Sequence, residues 1–279
     1  MSKLFAVLGS PISHSKSPAI HGAAYRVLNE EWSYGRFEVV RGGLKRFIEN
    51  EGSTYSGFSV TMPLKGNAFS FADETDDLSK LTKATNTLVL SNGKWLGFNT
   101  DIFGITQSVG SKLSSPMKSA LIIGSGATAT SSLVAIAQLS PTATVKIFAR
   151  NKQAAKDLVA FGKSLNLEVR RTRFLISALA KADLVISTLP GGALDDVAKK
   201  LTTRTSFKPK GLLLDVAYSP WPSALATVWS GRGCPVASGK DMLIWQALAQ
   251  IRIFKNGNPS EPLLNEVAVL EAMRIAADE

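Results

Sequence analysis

Cysteine and histidine are scarce in this chain of 279 residues, which has one cysteine, Cys234, and two histidines, His14 and His21. A single cysteine excludes a disulfide within the chain and is typical of a reducing compartment, so we expect a cytoplasmic location. So few nitrogen and sulfur ligands argue against a zinc site of the usual kind, and we predict that the chain holds no metal.

Long hydrophobic runs are also missing. No apolar stretch approaches the roughly 18–20 residues that a membrane helix needs, so we predict no membrane partner. The segment from Met1 to Gly9 lacks the apolar run and cleavage site of a signal peptide and instead predicts a first strand. The length suits two domains rather than one small core.

Acidic residues are outnumbered, with 22 Asp and Glu against 32 Lys and Arg. Between positions 150 and 210 there are thirteen basic and five acidic residues, a local net charge of +8. Such an excess of positive charge is also typical of proteins that bind nucleic acids. However, aromatic residues are not interleaved with the charges as a stacking platform needs, and a surface that attracts small anions explains the same numbers. We therefore predict no nucleic-acid partner.

Strand-like and helix-like segments alternate along the chain, which indicates an α/β protein. Ser17 is placed to cap a helix that begins at Pro18, and Asn92-Gly93 predicts a hairpin turn. The other predicted strands and helices of the first hundred residues are Leu4–Leu8, Trp32–Val40, Leu44–Asn50 and Gly57–Thr61. Residues 119–217 repeat the β-α-β order of a doubly wound sheet, and two helices, Lys240–Phe254 and Leu263–Ala277, follow.

A glycine-rich turn with the spacing G-x-G-x-x-A follows the predicted strand Ala120–Ile123. Gly124 permits a tight turn, Gly126 lets a pyrophosphate approach the backbone, and Ala129 allows the next helix to pack closely. The N-terminus of that helix would face the phosphates. The segment therefore predicts a dinucleotide site.

The next predicted strand ends at Arg150, where a cofactor with a free 2′-hydroxyl would favour an acidic residue. A guanidinium can instead bind a 2′-phosphate through two hydrogen bonds, and Lys152 is close in sequence. We predict NADP rather than NAD. The alternative is that Arg150 is an ordinary surface residue at a strand end.

Lys65 and Asp101 each close a short segment rich in Gly, Thr, Asn or Pro, where a scaffold commonly presents side chains to a ligand. A lysine beside a carboxylate can move a proton to or from an alcohol or ketone oxygen. With a redox cofactor, this pair predicts a dehydrogenase.

Further polar residues are candidates for ligand contacts. Ser15 and Ser17 precede a predicted helix, where hydroxyl and free N–H groups suit a carboxylate. Thr61, Asn86 and Gln246 close otherwise apolar or turn segments and suit a polyhydroxylated ligand. Backbone partners are the alternative for each of them.

Taken together, these segments resemble the shikimate dehydrogenase family over nearly the whole chain. The matching stretches are Gly9–His21, Val60–Lys65, Asn86-Thr87, Asn99–Asp101, Gly124–Ala129, Asp215–Pro222 and Gly239–Gln246. The resemblance implies reversible, NADP-dependent reduction of 3-dehydroshikimate to shikimate. It also implies a discontinuous α/β substrate-binding and catalytic domain, residues 1–101 and 238–279, and a Rossmann-like NADP-binding domain, residues 102–237.

The resemblance also implies roles for single residues. Lys65 would be the acid–base residue, with Asp101 as its partner. The substrate residues would be Ser15, Ser17, Thr61, Asn86, Asp101, Tyr218 and Gln246. The cofactor residues would be Asp77, Gly124, Ser125, Gly126, Ala127, Thr128, Arg150, Asn151, Lys152, Val216, Gly239 and Met242.

Four positions depart from the family pattern, which usually has asparagine where this chain has Gly22, Ser59 and Ala149, and threonine where it has Asn151. None of them removes the Lys65–Asp101 pair. One alternative is a catabolic quinate/shikimate dehydrogenase, for which NAD is a candidate cofactor. The others are a regulator that binds NADP or shikimate without turnover, and a nucleic-acid binder. We expect a monomer or homodimer.

Overall fold

A computed structural model describes residues 2–110, 112–113 and 116–278. The chain divides into two compact units, Met1–Asp101 with Leu243–Glu279, and Ile102–Met242. Both boundaries fall within helices, α5 (Asp101–Gly110) and α11 (Gly239–Asn256). The second boundary lies a few residues beyond the predicted position 238, because the first turn of α11 belongs to the second unit.

The first unit is built on a six-stranded mixed sheet in the order β2-β1-β3-β5-β6-β4. Its strands are β1 (Leu4–Gly9), β2 (Ser33–Glu38), β3 (Gly57–Val60), β4 (Glu74–Thr75), β5 (Thr87–Ser91) and β6 (Lys94–Phe98). Its helices, besides most of α11, are α1 (Ser17–Val27), α2 (Leu44–Asn50), α3 (Lys65–Phe71), α4 (Asp77–Thr82) and α12 (Glu266–Asp278).

Helices cover both faces of this sheet, because successive side chains of a strand point to opposite sides. Phe5 of β1 belongs to a core with α1, α11 and α12, and its ring stacks on Phe254 at a centroid distance of 4.3 Å. Ala6 and Leu8 belong to the opposite core, which includes Phe47 of α2.

The second unit is a six-stranded sheet whose strands pair in parallel, in the order β12-β11-β10-β7-β8-β9. The strands are β7 (Ser119–Ile123), β8 (Thr144–Phe148), β9 (Glu168–Arg171), β10 (Leu184–Ser187), β11 (Leu212–Asp215) and β12 (Val236–Ser238). The helices are α6 (Ala127–Leu139), α7 (Lys152–Ser164), α8 (Leu175–Lys181), α9 (Asp195–Thr203) and α10 (Ala224–Ser230). Strand order reverses between β7 and β10, as in doubly wound sheets.

The predicted α/β class with a Rossmann-like unit is confirmed. Asn92 and Gly93 both have positive φ, at 51° and 76°, which is the geometry expected of the hairpin turn. The predicted cap by Ser17 is wrong: α1 begins at Ser17, Lys16 occupies the N-cap position and no side chain caps the helix there. Among the described residues, no helix combines the length and apolar character needed to cross a membrane.

Candidate active site

Four loops of the first unit meet at one edge of its sheet. β1 and β3 are parallel neighbours, so the segments after them leave the sheet on the same side. β5 runs antiparallel to β3 and β6 antiparallel to β5, which brings the start of β5 and the end of β6 to that side. These loops carry Ser15, Ser17, Thr61, Lys65, Asn86 and Asp101.

The loops after β1 and β3 are in direct contact. The backbone N–H of Ser10 donates to the carbonyl of Met62 at 2.9 Å. A Cβ atom added to Gly9 would lie 2.3 Å from Cγ2 of Thr61, so this approach requires glycine. Thr61 therefore lies beside the loop that leads to Ser15.

Lys65 and Asp101 form a buried ion pair. Lys65 Nζ donates to Asp101 Oδ2, and the two side chains are 12% and 4% exposed. Lys65 is the first residue of α3 and Asp101 the first residue of α5. The carboxylate compensates the partly desolvated ammonium, which leaves a proton donor held at a fixed position.

Asn86 and Gln246 extend this pair into a cluster. Asn86 Nδ2 donates to Asp101 Oδ1 at 2.9 Å and to Gln246 Oε1 at 3.3 Å. Gln246 Nε2 donates to the carbonyl of Leu243 at 2.9 Å, so part of this side chain has a backbone partner. The structure thus brings together four of the residues singled out in the sequence.

A second set of polar side chains lies behind this cluster, and sequence reasoning missed it. The Tyr34 hydroxyl donates to Ser59 Oγ at 2.6 Å, and Ser59 Oγ donates to Gln250 Oε1 at 2.8 Å. Gln250 Nε2 donates to the Asn86 carbonyl at 3.3 Å. Burial raises the pKa of Tyr34, which keeps its hydroxyl protonated. The one available signal was the position of Gln250, four residues after Gln246 on one helix face.

In the second unit, the loops after β7, β8, β11 and β12 leave the same edge of the sheet because these strands run parallel. Ligands of doubly wound sheets bind at this edge, where the strand order reverses. The loops and the helix turns that follow them carry Gly124, Ser125, Gly126, Ala127, Thr128, Arg150, Asn151, Lys152, Val216, Tyr218, Gly239 and Met242.

The turn between β7 and α6 fits a pyrophosphate. Gly124 has a φ of +122°, and a Cβ atom on it would lie 2.2 Å from Oγ1 of Thr188. Gly126 occupies the N-cap position of α6, and a Cβ atom on it would meet nothing within 4 Å. The space beside Gly126 is therefore open, and no side chain caps the first N–H groups of α6, which suits an anionic group.

Arg150 and Lys152 are exposed beyond the end of β8. Between them, Asn151 Oδ1 accepts from the backbone N–H groups of Gln153 and Ala154, both at 3.0 Å, and thereby caps α7. The two basic side chains are exposed and available to an anionic group, whereas the carbonyl oxygen of Asn151 is already used by the helix.

The segment after β11 is held by a carboxylate. Asp215 Oδ2 accepts from Ser223 Oγ at 2.6 Å, and burial raises the pKa of Asp215. A Cβ atom on Gly239 would lie 2.0 Å from the carbonyl oxygen of Val216, so these two segments are in close contact. Burial also raises the pKa of Tyr218, so its phenol is protonated near neutral pH.

Two predicted site residues lie apart from the other residues of the same predicted site. Most predicted cofactor residues lie in the second unit and most predicted substrate residues in the first. Asp77, a predicted cofactor residue, is the first residue of α4 in the first unit, where it pairs with Lys80 at 3.5 Å. Tyr218, a predicted substrate residue, lies in the second unit. Both roles stay predictions. Across residues 2–110, 112–113 and 116–278, no group of three or more His, Cys, Asp and Glu side chains could hold a metal ion.

Comparison with known proteins gives consistent matches. The family model for the shikimate dehydrogenase substrate binding domain matches residues 7–88. The shikimate dehydrogenase (NADP(+)) of Leptospira interrogans is 30% identical over 263 residues, which cover 92% of this chain and 91% of that protein.

Solved structures match over nearly the full length. The shikimate dehydrogenase of Mycobacterium tuberculosis is 35% identical, with a TM-score of 0.84 and coverage of 99% of this chain and 98% of that one. The shikimate 5-dehydrogenase of Thermus thermophilus, solved in complex with NADP(H) and shikimate, is 25% identical, with a TM-score of 0.81 and coverage of 98% and 99%.

Proposed function

The chain belongs to the shikimate dehydrogenase family, and on that premise we propose which of its residues carry out the reaction. It is an NADP-dependent oxidoreductase that interconverts 3-dehydroshikimate and shikimate in the biosynthesis of chorismate and the aromatic amino acids. The family, activity and cofactor expected from the sequence are confirmed. The roles of single residues are our proposal.

We propose that Lys65 is the acid–base residue, and its buried contact with Asp101 is the observation that carries the proposal. NADPH, when bound, supplies the hydride for the ketone carbon. The Lys65 ammonium donates a proton to the oxygen on which negative charge develops. In the reverse direction, neutral Lys65 accepts the proton of the hydroxyl group. Asp101 holds Lys65 Nζ in place and is not itself the proton donor.

The first unit is proposed to bind shikimate. Ser15 and Ser17 would bind its carboxylate, because hydroxyl groups and the N-terminus of α1 favour a negative charge there. Thr61, Asn86, Asp101 and Gln246 would bind the ring hydroxyls, since they are polar and the last three are joined by hydrogen bonds. Tyr218, from the second unit, is proposed as a further substrate contact.

A lysine substitution tests the acid–base assignment. Lys65→Ala should lower kcat by about 10²–10⁴-fold, because the developing oxyanion loses its proton donor. The affinity for NADP, measured by fluorescence titration, should stay unchanged, since Lys65 lies outside the unit that carries the dinucleotide turn. Lys45→Ala, which removes an exposed lysine of α2, is the matched control. Turnover of Lys65→Ala close to that of the unchanged protein would refute the assignment.

The second unit is proposed to bind NADP, with the pyrophosphate at Gly124–Thr128 and the 2′-phosphate at Arg150 and Lys152. We propose that Asn151 contacts the ribose phosphate. Val216, Gly239 and Met242 are proposed to contact the nicotinamide, and Asp77 is proposed to lie near the cofactor. The open N-terminus of α6 and the exposed basic pair support this arrangement.

Arg150→Ala tests the phosphate assignment. Its KM for NADP should rise about ten- to a hundredfold, because a charge-assisted contact is lost, while its KM for NAD stays nearly constant. Initial rates with shikimate or quinate, each with NADP or NAD, provide the measurement, and Lys163→Ala on α7 is the control. An equal change for both cofactors would contradict a 2′-phosphate contact, and comparable quinate turnover would favour the catabolic alternative.

We further propose that shikimate and NADP are the only partners, with no nucleic acid, and that the protein is a cytoplasmic monomer or homodimer. Small anionic ligands account for an excess of positive charge without a nucleic acid. Light scattering gives the oligomeric state, and a gel-shift series across salt concentrations would expose a nucleic-acid partner through its steep salt dependence.

A further inference from the structure

Asp101 depends on Asn86 for the direction of its carboxylate. Oδ2 of Asp101 accepts from Lys65, and Oδ1 accepts from Asn86 Nδ2 at 2.9 Å. The position of the Lys65 ammonium is therefore set by the carboxylate, and the plane of the carboxylate is set in part by the Asn86 amide. This step rests on the proposed role of Lys65.

The Asn86 amide is useful in one orientation only. Its NH₂ group must face Asp101, because the reversed amide would place a carbonyl oxygen against a carboxylate oxygen. Asn86 is 1% exposed, so no solvent stabilises either orientation. Neighbouring protein groups therefore have to determine the orientation of the amide.

The backbone N–H of Thr100, which can only donate, determines this orientation, and two threonine hydroxyls support it. Thr87 Oγ1 donates to Asn86 Oδ1 at 2.8 Å, and the backbone N–H of Thr100 donates to the same oxygen at 2.9 Å. On the other side of the amide, Thr100 Oγ1 accepts from Asn86 Nδ2 at 2.9 Å. Thr100 Oγ1 also lies 3.2 Å from Asn86 Oδ1, so its hydroxyl contacts both ends of the amide. The amide oxygen therefore faces a backbone donor, and the two hydroxyls hold the side chain in that orientation.

We propose that Thr87 and Thr100 are positioning residues of the reaction, whose hydroxyl groups hold the Asn86 amide with its NH₂ group toward Asp101. Thr87 is fully buried and Thr100 is 3% exposed, so neither hydroxyl can exchange its partner for water. Both act through Asn86 and Asp101 on Lys65, and neither is proposed to touch the substrate.

Matched substitutions test this role. Thr87→Val keeps the shape of the side chain and removes the hydroxyl, whereas Thr87→Ser keeps the hydroxyl. Thr85→Val makes the same change two residues earlier, at a buried hydroxyl that has no hydrogen-bond partner. Each variant is assayed with shikimate and NADP for kcat and both KM values.

Thr87→Val should lower kcat about fivefold, the effect of losing one buried hydrogen bond, with KM for NADP unchanged. Thr87→Ser and Thr85→Val should keep kcat within twofold of the unchanged protein. The proposal is overturned if Thr87→Val keeps its kcat, or if Thr87→Ser is as impaired as Thr87→Val. If Thr87→Val does not fold, Thr100→Val and Thr100→Ser decide by the same criteria.

The positioning role of the threonines and the acid–base role of Lys65 can be tested independently. Retained turnover in Lys65→Ala refutes the role of Lys65 whatever the threonine variants do. A normal kcat in Thr87→Val, beside a nearly inactive Lys65→Ala, refutes only the positioning role.

Discussion

His21 is a histidine near the proposed active site with a structural role. It is fully buried, its ring stacks on Tyr34 at a centroid distance of 3.9 Å, and its Nδ1 lies 2.9 Å from the carbonyl of Ser17. Burial lowers its pKa to about 4. The ring is therefore neutral at physiological pH.

His21 should make the protein sensitive to mild acid. Its pKa in the folded state is about 4, below the ordinary value of 6.5, so the unfolded state binds more protons between these values. The stabilisation is complete above pH 6.5 and is lost as the pH falls toward 4. Between pH 7 and pH 5, we expect the free energy of unfolding to fall by about 2 kcal/mol from this group.

Urea unfolding at several pH values measures this dependence. His21→Phe, which keeps an aromatic ring but cannot be protonated, should show a flatter dependence between pH 7 and pH 5. His14→Gln changes the other histidine and serves as the control. If His21→Phe keeps the slope of the unchanged protein, another group is responsible for the acid sensitivity.

The sequence indicated the residues that lie in short motifs, but not those joined only by folding. Lys65 and Asp101 stand out because each ends a segment of turn-forming residues. Ser59 and Gln250 are 191 positions apart, and a hydrogen bond over that separation leaves no local pattern. Thr87 lies in the matching stretch Asn86-Thr87, but its own residue type indicates only a β-branched residue at the start of a strand, and its hydrogen bond to Asn86 was not predicted.

At the scale of elements, strands of apolar residues and the helix α2 were predictable, whereas the equally short helix α3 was not. The helix α3 has the sequence KGNAFSF, in which Gly66 and Asn67 disfavour a helix, and Ala68 is its only buried residue. Contacts with the rest of the first unit stabilise this helix, and they cannot be read from its own residues. Its position nevertheless decides where Lys65 points.

The junction between β12 and α11 should not tolerate a side chain at Gly239. A Cβ atom there would lie 2.0 Å from the carbonyl oxygen and 2.5 Å from the carbonyl carbon of Val216. Both are backbone atoms, so the strand end has to move. Gly239→Ala should lower the free energy of unfolding by about 3 kcal/mol and weaken NADP binding.

Thermal unfolding and fluorescence titration with NADP measure these two effects. Gly22→Ala is the control, because a Cβ atom at this helical position meets only the Arg26 guanidinium at 3.8 Å. It should keep or slightly raise the stability, since alanine favours a helix over glycine. Normal NADP affinity in Gly239→Ala would contradict the proposed contact between this junction and the nicotinamide.

At the scale of the whole molecule, the sequence predicted two α/β units and a C-terminal return to the first. It did not predict the order of the first sheet, in which β1 lies between β2 and β3 and the two-residue strand β4 pairs with β6. Strand order depends on which apolar faces the distant helices cover. That choice arises from packing over the full chain and has no local signal.

The first unit consists of two separate segments of the chain. Its N-terminal segment is therefore synthesised long before the C-terminal helices that complete it. Residues 102–242 form a unit that is continuous in sequence. Phe5 is made far earlier, yet the face of β1 that bears it is covered only in part, by α1 and Trp32, until Phe254 and Met273 are made. During translation, the core on this face of the sheet is therefore completed only when the end of the chain has been made.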